Sequence, residues 1–150
     1  MKLVKRVLHK KAQPFNWQDP VANQKIAVEL ANIMLSQKGI GLAAPQCGVS
    51  KRLFVMFTDK WRYCFNPELV SYSNETNTIT EGCLSFPGEY IELERPSSIE
   101  VKYYDYMGNV TSETLEGITA RCFLHELDHC DGIVFQDRLN NKVAKKYQYV

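Results

Sequence analysis

Hydrophobic and polar positions follow two different periods along the 150-residue chain. Between Asp19 and Gly39, apolar residues recur every three or four positions, which predicts a helix with one buried face. Asp19-Pro20 provides an N-cap and a first-turn proline, and Gly39 is expected as the residue that follows the helix end. The positions that carry this period are Ile26, Leu30, Ile33 and Met34.

The middle of the chain changes to the two-residue period of β-strands. Short strands are predicted at 52–57, 63–65, 68–70, 91–94 and 98–104, with a turn at 105–109. The polar run 71–80 is predicted to be a hairpin loop. Successive strands joined by polar turns favour an antiparallel meander.

A second helix is predicted over 118–130 and should stop at Asp131-Gly132, with little chain left to fold after it. Strands gathered between two helices indicate an α+β fold, in which antiparallel strands pack around the second helix and one further helix lies near the N-terminus. No repeat or linker divides the sequence, so we expect a single domain over residues 1–150.

The composition and net charge limit the kinds of partner that the protein is expected to bind. The formal net charge is +1, with 45% hydrophobic and 23% charged residues, so the chain has no global basic character that would favour DNA or a membrane surface. Lys142, Lys145 and Lys146 form one basic cluster, which fits either a weak contact with ribosomal RNA or a solvated terminus. We expect no DNA partner, no membrane association and a monomer.

Cysteine use and the first residues of the chain bear on its compartment. Five cysteines form an odd set without a disulfide framework, and the chain starts with lysines and arginine instead of an apolar signal core. Both features predict a reducing, cytoplasm-like compartment, where thiols serve as metal ligands, nucleophiles or small core residues.

The most specific local pattern is the H-E-x-x-H sequence at 125–129 on the predicted second helix. Residues four apart share a helix face, so His125 and His129 can bind one metal ion with Glu126 beside them. The alternative is a surface helix with two hydrogen-bonded histidines. Asp128 is expected to be a solvated acid or an acceptor behind the site.

A catalytic metal site needs a third protein ligand. Phe135 occupies the downstream position where some H-E-x-x-H families place a histidine, and no glutamate follows Glu126. An upstream ligand is therefore required, and Cys83 within Glu81-Gly82-Cys83-Leu84-Ser85 is the best candidate.

Two cysteines near the histidines leave another interpretation open. Cys122 and Cys130 flank the motif, and two thiolates with two imidazoles would form a closed, structural zinc site. We expect instead that Cys122 is a small apolar residue beside the site, Cys130 a partly buried thiol at the helix end, and Cys64 a strand core residue.

A third pattern, GIGLAAPQ at 39–46, follows the first helix. Its glycines and alanines allow a ligand to approach the backbone closely, and Gln46 supplies an amide that can donate to an oxygen. Helix termination and core packing account for much of this pattern when it is considered alone.

With GIGLAAPQ at 39–46, EGCLS at 81–85 and HELDH at 125–129, the sequence resembles the peptide deformylase family from about Val21 to Arg138. Leu124 and Cys130 depart from the Gln and Leu usual in the family. The short chain is most similar to compact, phage-like or organellar members. This likeness implies that the protein is located in the cytoplasm, which would be the host-cell cytoplasm for a phage-encoded chain. An organelle stroma or matrix is the alternative location.

The resemblance implies a hydrolase that removes the formyl group from N-terminal formyl-methionine of nascent polypeptides. It assigns Cys83, His125 and His129 to one divalent metal ion, with water in the fourth position. Ferrous iron is favoured, and zinc, nickel or cobalt are alternatives. Glu126 would be the general acid and base, while the Gln46 amide and the Leu84 N–H would stabilise the developing oxyanion.

The resemblance also implies a binding site for the substrate. Ile40, Phe86 and Ile118 are expected to form an apolar slot for methionine beside Cys122, although core packing would also account for them. Gly41 and Gly88 are expected to bond to an extended peptide, and Arg121 either lines the slot or pairs with an acid such as Glu81. A metallopeptidase with the same H-E-x-x-H helix and a structural zinc module are the alternative functions.

Overall fold

The computed structural model describes residues 1–4 and 9–139 and confirms the predicted α+β class. The lysine cluster at 142–146 lies outside these residues. Within the described part of the chain, no helix is both long and apolar enough to cross a membrane. The elements are α1 (Pro20–Ser36), β1 (Gly41–Ala43), a 3₁₀ turn (Ala44–Cys47), β2 (Leu53–Phe57), β3 (Trp61–Tyr72), β4 (Thr76–Cys83), β5 (Phe86–Pro96), β6 (Ser98–Tyr104), β7 (Val110–Glu116), α2 (Gly117–Cys130) and α3 (Phe135–Leu139).

Helix α1 begins as predicted but ends differently. The Asp19 side chain caps its first turn and Pro20 follows at the first helical position. At the other end Lys38, not Gly39, adopts the left-handed conformation, with φ +58°. Gly39 follows it and donates its N–H back to the last turn of the helix. A Cβ at Gly39 would come within 2.7 Å of Leu84, so close packing is the reason for glycine here.

The strands form two sheets instead of one meander. Five antiparallel strands are ordered β1-β2-β3-β6-β7, and β4 and β5 form a separate two-stranded sheet that is inserted between β3 and β6 in the sequence. The short strands predicted at 63–65 and 68–70 are one strand, β3, with an irregular register after Phe65. The prediction of a loop over 71–80 is wrong for most of these residues, because β3 continues to Tyr72 and β4 starts at Thr76.

Helices α1 and α2 cover opposite faces of the five-stranded sheet. Leu53 and Val55 of β2 pack with the α1 core, while Phe54 and Met56 pack with the α2 core. The Phe54 and Phe123 rings meet edge to face with centroids 5.0 Å apart. Each such buried side chain contributes about 1.5–3 kcal/mol. These contacts fix α2 against the sheet.

Helix α2 is buried on all sides. Every residue from 120 to 130 is buried, because the five-stranded sheet lies on one side of the helix and β5 with α3 lies on the other. The predicted central helix is therefore confirmed, and its polar motif lies inside the protein. The helix ends at the predicted position, where Gly132 has φ +74° and faces the backbone of Lys10.

The short helix α3 was not predicted. It follows α2 after four residues, and the Asp137 side chain accepts a hydrogen bond from the Val134 N–H over 3.1 Å at its start. Five residues are too few to show a helical period, so the pattern of apolar positions contains no signal for it. The helix matters for the site because it supplies Arg138 to the interior.

Candidate active site

Three potential metal ligands converge where the end of β4 meets α2. The Cys83 Sγ lies 3.5 Å from His129 Nε2, and the Nε2 atoms of His125 and His129 lie 3.2 Å apart. In a tetrahedral shell with usual zinc bond lengths, the sulfur–nitrogen and nitrogen–nitrogen edges are about 3.5 and 3.3 Å. The three donor atoms therefore fit one ion. Among the described residues this is the one such group found.

The two further cysteines do not join this group. Cys122 directs its Sγ towards the Ile40 carbonyl at 3.6 Å, and Cys130 is fully buried in the α2 core. The expectation of a partly buried Cys130 is thus wrong, because Cys130 packs in the same core as Phe54 of β2 and Cys64 of β3, while Cys64 is a strand core residue as predicted. The converging donors include a single thiol, from Cys83.

A buried carboxylate fixes the first histidine. Glu81 Oε1 lies 2.8 Å from His125 Nδ1, so His125 Nε2 is left to face the other donors. Glu81 also accepts hydrogen bonds from Arg95 and Arg121. Burial raises the pKa of Glu81, but the hydrogen bonds from His125 and Arg95 outweigh it and hold the pKa well below its usual range. Glu81 is ionised as a result.

Asp128 is an internal ion-pair partner. Its carboxylate accepts hydrogen bonds from Arg95 at 2.8 Å and from Arg138 at 2.9 and 2.5 Å, and only 2% of the residue is exposed. The expectation of a solvated acid is wrong, and that of an acceptor behind the site is right. Its partners come from β5 and α3, which no local pattern on α2 reveals.

Arg121 fulfils both expectations that the sequence left open. It lines the cleft beside the metal-ligand group, and its guanidinium pairs with Glu81 at 2.7 Å. The same group donates to the Leu93 carbonyl and to Asn77. The charged end of Arg121 is thus fixed at the back of the cleft wall.

Glu126 lies beside the donor group with one oxygen, Oε1, buried and without a hydrogen-bond partner among the described residues. Burial raises the pKa of Glu126 to about 7, although the charge of His125 partly lowers it. A carboxyl group with this pKa can accept and release a proton near neutral pH. Its other oxygen faces Gly41, where a Cβ would come within 2.7 Å.

The two histidines have opposite pKa shifts. Burial lowers the pKa of His125, but hydrogen bonds to Cys83 and Glu81 raise it overall to about 10. Burial and the charge of His125 lower the pKa of His129 to about 3. These surroundings therefore favour a protonated His125 beside a neutral His129.

Gln46 is held on the 3₁₀ turn with its amide directed into the site. Its Oε1 accepts from the Ala43 N–H at 2.9 Å, while Nε2 donates to Ser85 at 3.1 Å and lies 3.5 Å from Cys83 Sγ. These contacts determine which end of the amide points towards the donor group. Leu84 follows Cys83 and lines the same cleft.

A cleft of about 700 Å³ opens onto this group. Ile40 and Ile118 are 48% and 52% exposed, so core packing does not account for them. Leu3, Ile79 and Tyr90 also line the cleft and were not predicted, since no motif or apolar period marks them. The residues predicted for substrate binding all lie on its wall: Ile40, Gly41, Phe86, Gly88, Ile118, Arg121 and Cys122.

The fold and the site define the class of H-E-x-x-H proteins in which two histidines of one helix converge with a cysteine from a neighbouring strand. A family model described as polypeptide deformylase matches residues 1–145, and the chain belongs to this family. The family predicted from the three motifs is thus confirmed.

Individual relatives agree with this assignment. The chain is 43% identical over 133 residues to the peptide deformylase of Prochlorococcus marinus strain NATL1A, covering 85% of this chain and 66% of the relative. It is 40% identical over 127 residues to that of Synechococcus sp. strain RCC307, covering 81% and 63%. The chain therefore spans just under two thirds of the length of these cyanobacterial relatives.

Solved structures show the same fold over nearly their whole length. The peptide deformylase of Thermotoga maritima superposes with a TM-score of 0.85 at 39% identity, covering 92% of this chain and 97% of that one. The enzyme from Plasmodium falciparum gives a TM-score of 0.85 at 34% identity, covering 97% and 92%.

Proposed function

We propose that this chain is a peptide deformylase that hydrolyses the N-formyl group of N-terminal formyl-methionine and releases formate. The observation that carries the proposal is the convergence of the Cys83, His125 and His129 donor atoms beside the buried carboxyl of Glu126 at the base of an open cleft. Membership of the polypeptide deformylase family supports it.

Cys83, His125 and His129 would hold one divalent metal ion, and their donor spacing and chemistry fit it. When bound, such an ion supplies Lewis acidity that lowers the pKa of water to about 7. One thiolate and two imidazoles suit both ferrous iron and zinc. We assign ferrous iron as the physiological ion, with zinc, nickel and cobalt as ions that can replace it.

Glu126 would move the proton. It accepts a proton from the water that attacks the formyl carbon and delivers it to the leaving amine. Its pKa of about 7 allows both steps at neutral pH. General acid and base catalysis of this kind contributes about 10²–10⁴ in rate.

Gln46 and Leu84 would stabilise the negative charge that grows on the formyl oxygen. The Gln46 amide nitrogen is already directed into the site, because the Ala43 N–H holds the amide oxygen. The backbone N–H of Leu84 would be the second donor. Loss of one such preorganised donor costs about 2.7–4 kcal/mol.

The cleft would bind the methionine side chain between Ile40, Phe86 and Ile118, beside Cys122. Gly41 and Gly88 would form main-chain hydrogen bonds with an extended peptide, so the side chains further along the peptide would matter little. The substrates proposed here are N-formylated nascent polypeptides.

The proposed setting is a reducing, cytoplasm-like compartment, and all five cysteines are free thiols in the structure. That compartment would be the host-cell cytoplasm for a phage-encoded chain. We propose a monomer with at most a weak ribosome contact.

The test measures formate released from formyl-Met-Ala-Ser by protein loaded anaerobically with iron, nickel or cobalt. Glu126→Ala should retain the metal and lose turnover, whereas the matched control Glu92→Ala, an exposed glutamate on β5, should keep both. Absence of formate from the loaded wild type would overturn the proposal. Cleavage of unformylated peptides would instead support a metallopeptidase, and a cobalt spectrum with two thiolates would support a structural zinc module.

A further inference from the structure

Leu3 and Val4 lie against the candidate active site, although nothing in the sequence assigns them a role. The backbone N–H of Val4 donates to the carbonyl of Gln46 over 2.8 Å. The side chain of Leu3 is partly buried, packs against the α1 core and lines the cleft. One short segment therefore contacts both the residue that carries the candidate oxyanion donor and the wall of the substrate cleft.

The Gln46 carbonyl needs a donor from outside its own turn. In the 3₁₀ turn, the carbonyl of Ala44 accepts from the Val49 N–H and the carbonyl of Pro45 accepts from the Gly48 N–H. The carbonyl of Gln46 accepts from Val4 instead. Gln46 is only 1% exposed, and a buried carbonyl that loses its donor is destabilising, so the turn would shift without Val4.

A shift of this turn would change the direction of the amide. The Gln46 side chain is held at its oxygen by Ala43, within the same stretch of backbone, and at its nitrogen by Ser85 in the turn between β4 and β5. Movement of the backbone at Gln46 relative to Ser85 would lengthen or misalign one of these hydrogen bonds. The backbone contact with Val4 is a third point of attachment for the same residue.

We propose that Leu3 and Val4 are a functional part of the active site, in which Val4 is a positioning residue for Gln46 and Leu3 completes the apolar wall of the methionine slot. This inference rests on the proposed deformylase function. Both contacts come from two adjacent residues, so each holds the other in place.

The test for Val4 is a double-mutant cycle with Gln46. Val4→Pro removes the N–H donor and should lower kcat for formyl-Met-Ala-Ser about tenfold, with KM within about twofold. In a Gln46→Ala background the same substitution should leave kcat unchanged, while it lowers Tm equally in both backgrounds. Equal losses of kcat in both backgrounds would overturn the positioning role. Lys2→Pro, at an exposed neighbouring position, is the matched control and should change neither value.

The test for Leu3 separates binding from chemistry. Leu3→Ala should raise KM about threefold to tenfold without changing kcat, and Leu3→Met should restore KM because its volume is similar. The affinity for actinonin, which is bound in a solved peptide deformylase from Acinetobacter baumannii, provides a readout without turnover. It should weaken in Leu3→Ala by the same factor. Unchanged KM and actinonin affinity would overturn the role of Leu3.

Amide hydrogen exchange tests this inference independently of the proposed function. The Val4 N–H should exchange slowly in the wild type, because it is bonded to Gln46, and faster in Leu3→Ala. If the wild type releases no formate, the proposed function fails while a protected Val4 amide still shows the contact. Fast exchange in an active wild type would overturn the inference alone.

Discussion

The carboxylate of Glu81 and the imidazole of His125 are joined by a hydrogen bond of 2.8 Å between Oε1 and Nδ1. Each oxygen of Glu81 accepts two hydrogen bonds, since Arg95 contacts both and Arg121 contacts Oε2. The carboxylate is therefore fixed from three directions and in turn fixes the ring.

Glu81→Gln should weaken metal binding about tenfold to a hundredfold, because the neutral amide orients His125 less firmly and removes the negative charge that pairs with Arg95 and Arg121. Competition with a chelator measures the affinity, and circular dichroism establishes that the variant is folded. Glu89→Gln, at an exposed glutamate on the cleft rim, should bind metal like the wild type. A folded Glu81→Gln protein with wild-type affinity would contradict the prediction.

Asp128→Asn should lower the free energy of unfolding by about 3–5 kcal/mol, because it leaves Arg95 and Arg138 buried beside a neutral group. Urea unfolding measures the change. Asp131→Asn removes a partner of Arg52 in a more exposed pair and should cost about 1 kcal/mol or less. Similar losses in the two variants would mean that burial of the Asp128 pairs does not determine their contribution.

Gly41→Ala should lower kcat by about 10²-fold with a small effect on Tm. The added Cβ would lie 2.7 Å from Glu126 Oε2 and 2.8 Å from Cys122 Sγ, so the carboxyl group must move. Gly82→Ala is the control, since its Cβ would meet the exposed ring of Tyr90 at 3.1 Å and the Glu89 carbonyl only at 3.9 Å. Steady-state formate release measures both, and an active Gly41→Ala variant would show that Glu126 tolerates displacement.

The ion pairs around Glu113 should make the folded state less stable at acid pH. Hydrogen bonds from Arg62, and from Tyr103, lower the pKa of Glu113 despite its burial, so the folded state favours the ionised form. This stability is present above the ordinary pKa of 4.5 and is lost as the pH falls through the lowered value.

Tm measured from pH 7 to pH 3 tests this dependence. Glu113→Gln should lower Tm by a few degrees at pH 7, and its difference from the wild type should shrink below pH 4.5. Glu116→Gln, at an exposed position, should follow the wild-type curve throughout. If the difference in Tm between Glu113→Gln and the wild type stays constant down to pH 3, Glu113 is not the source of the pH dependence.

The sequence predicted those parts of the fold and site that depend on short spacings. His125, Glu126 and His129 occupy one helix, so a single helical period relates them, and Asp19 with Pro20 marks a helix start by local chemistry alone. Cys83 followed from the need for a ligand from elsewhere in the chain. These predictions needed no knowledge of distant contacts.

Other features depend on contacts between distant residues. Arg95 pairs with Asp128 across 33 positions, so nothing around Asp128 distinguishes it from a surface acid. Strand β4 is polar on its exposed face and was therefore interpreted as a loop, although β5 pairs with it along its whole length. Leu3 reaches the cleft from a segment without any period.

The insertion of the two-stranded sheet between β3 and β6 has a consequence for folding. Cys83 belongs to this insert, whereas His125 and His129 belong to the helix packed on the five-stranded sheet. An ion bound by these residues would cross-link the two-stranded sheet to α2. The backbone connects this sheet to the rest of the molecule only at the two ends of the insert. Chelation should consequently speed proteolysis within the β4–β5 hairpin long before the remaining strands become susceptible.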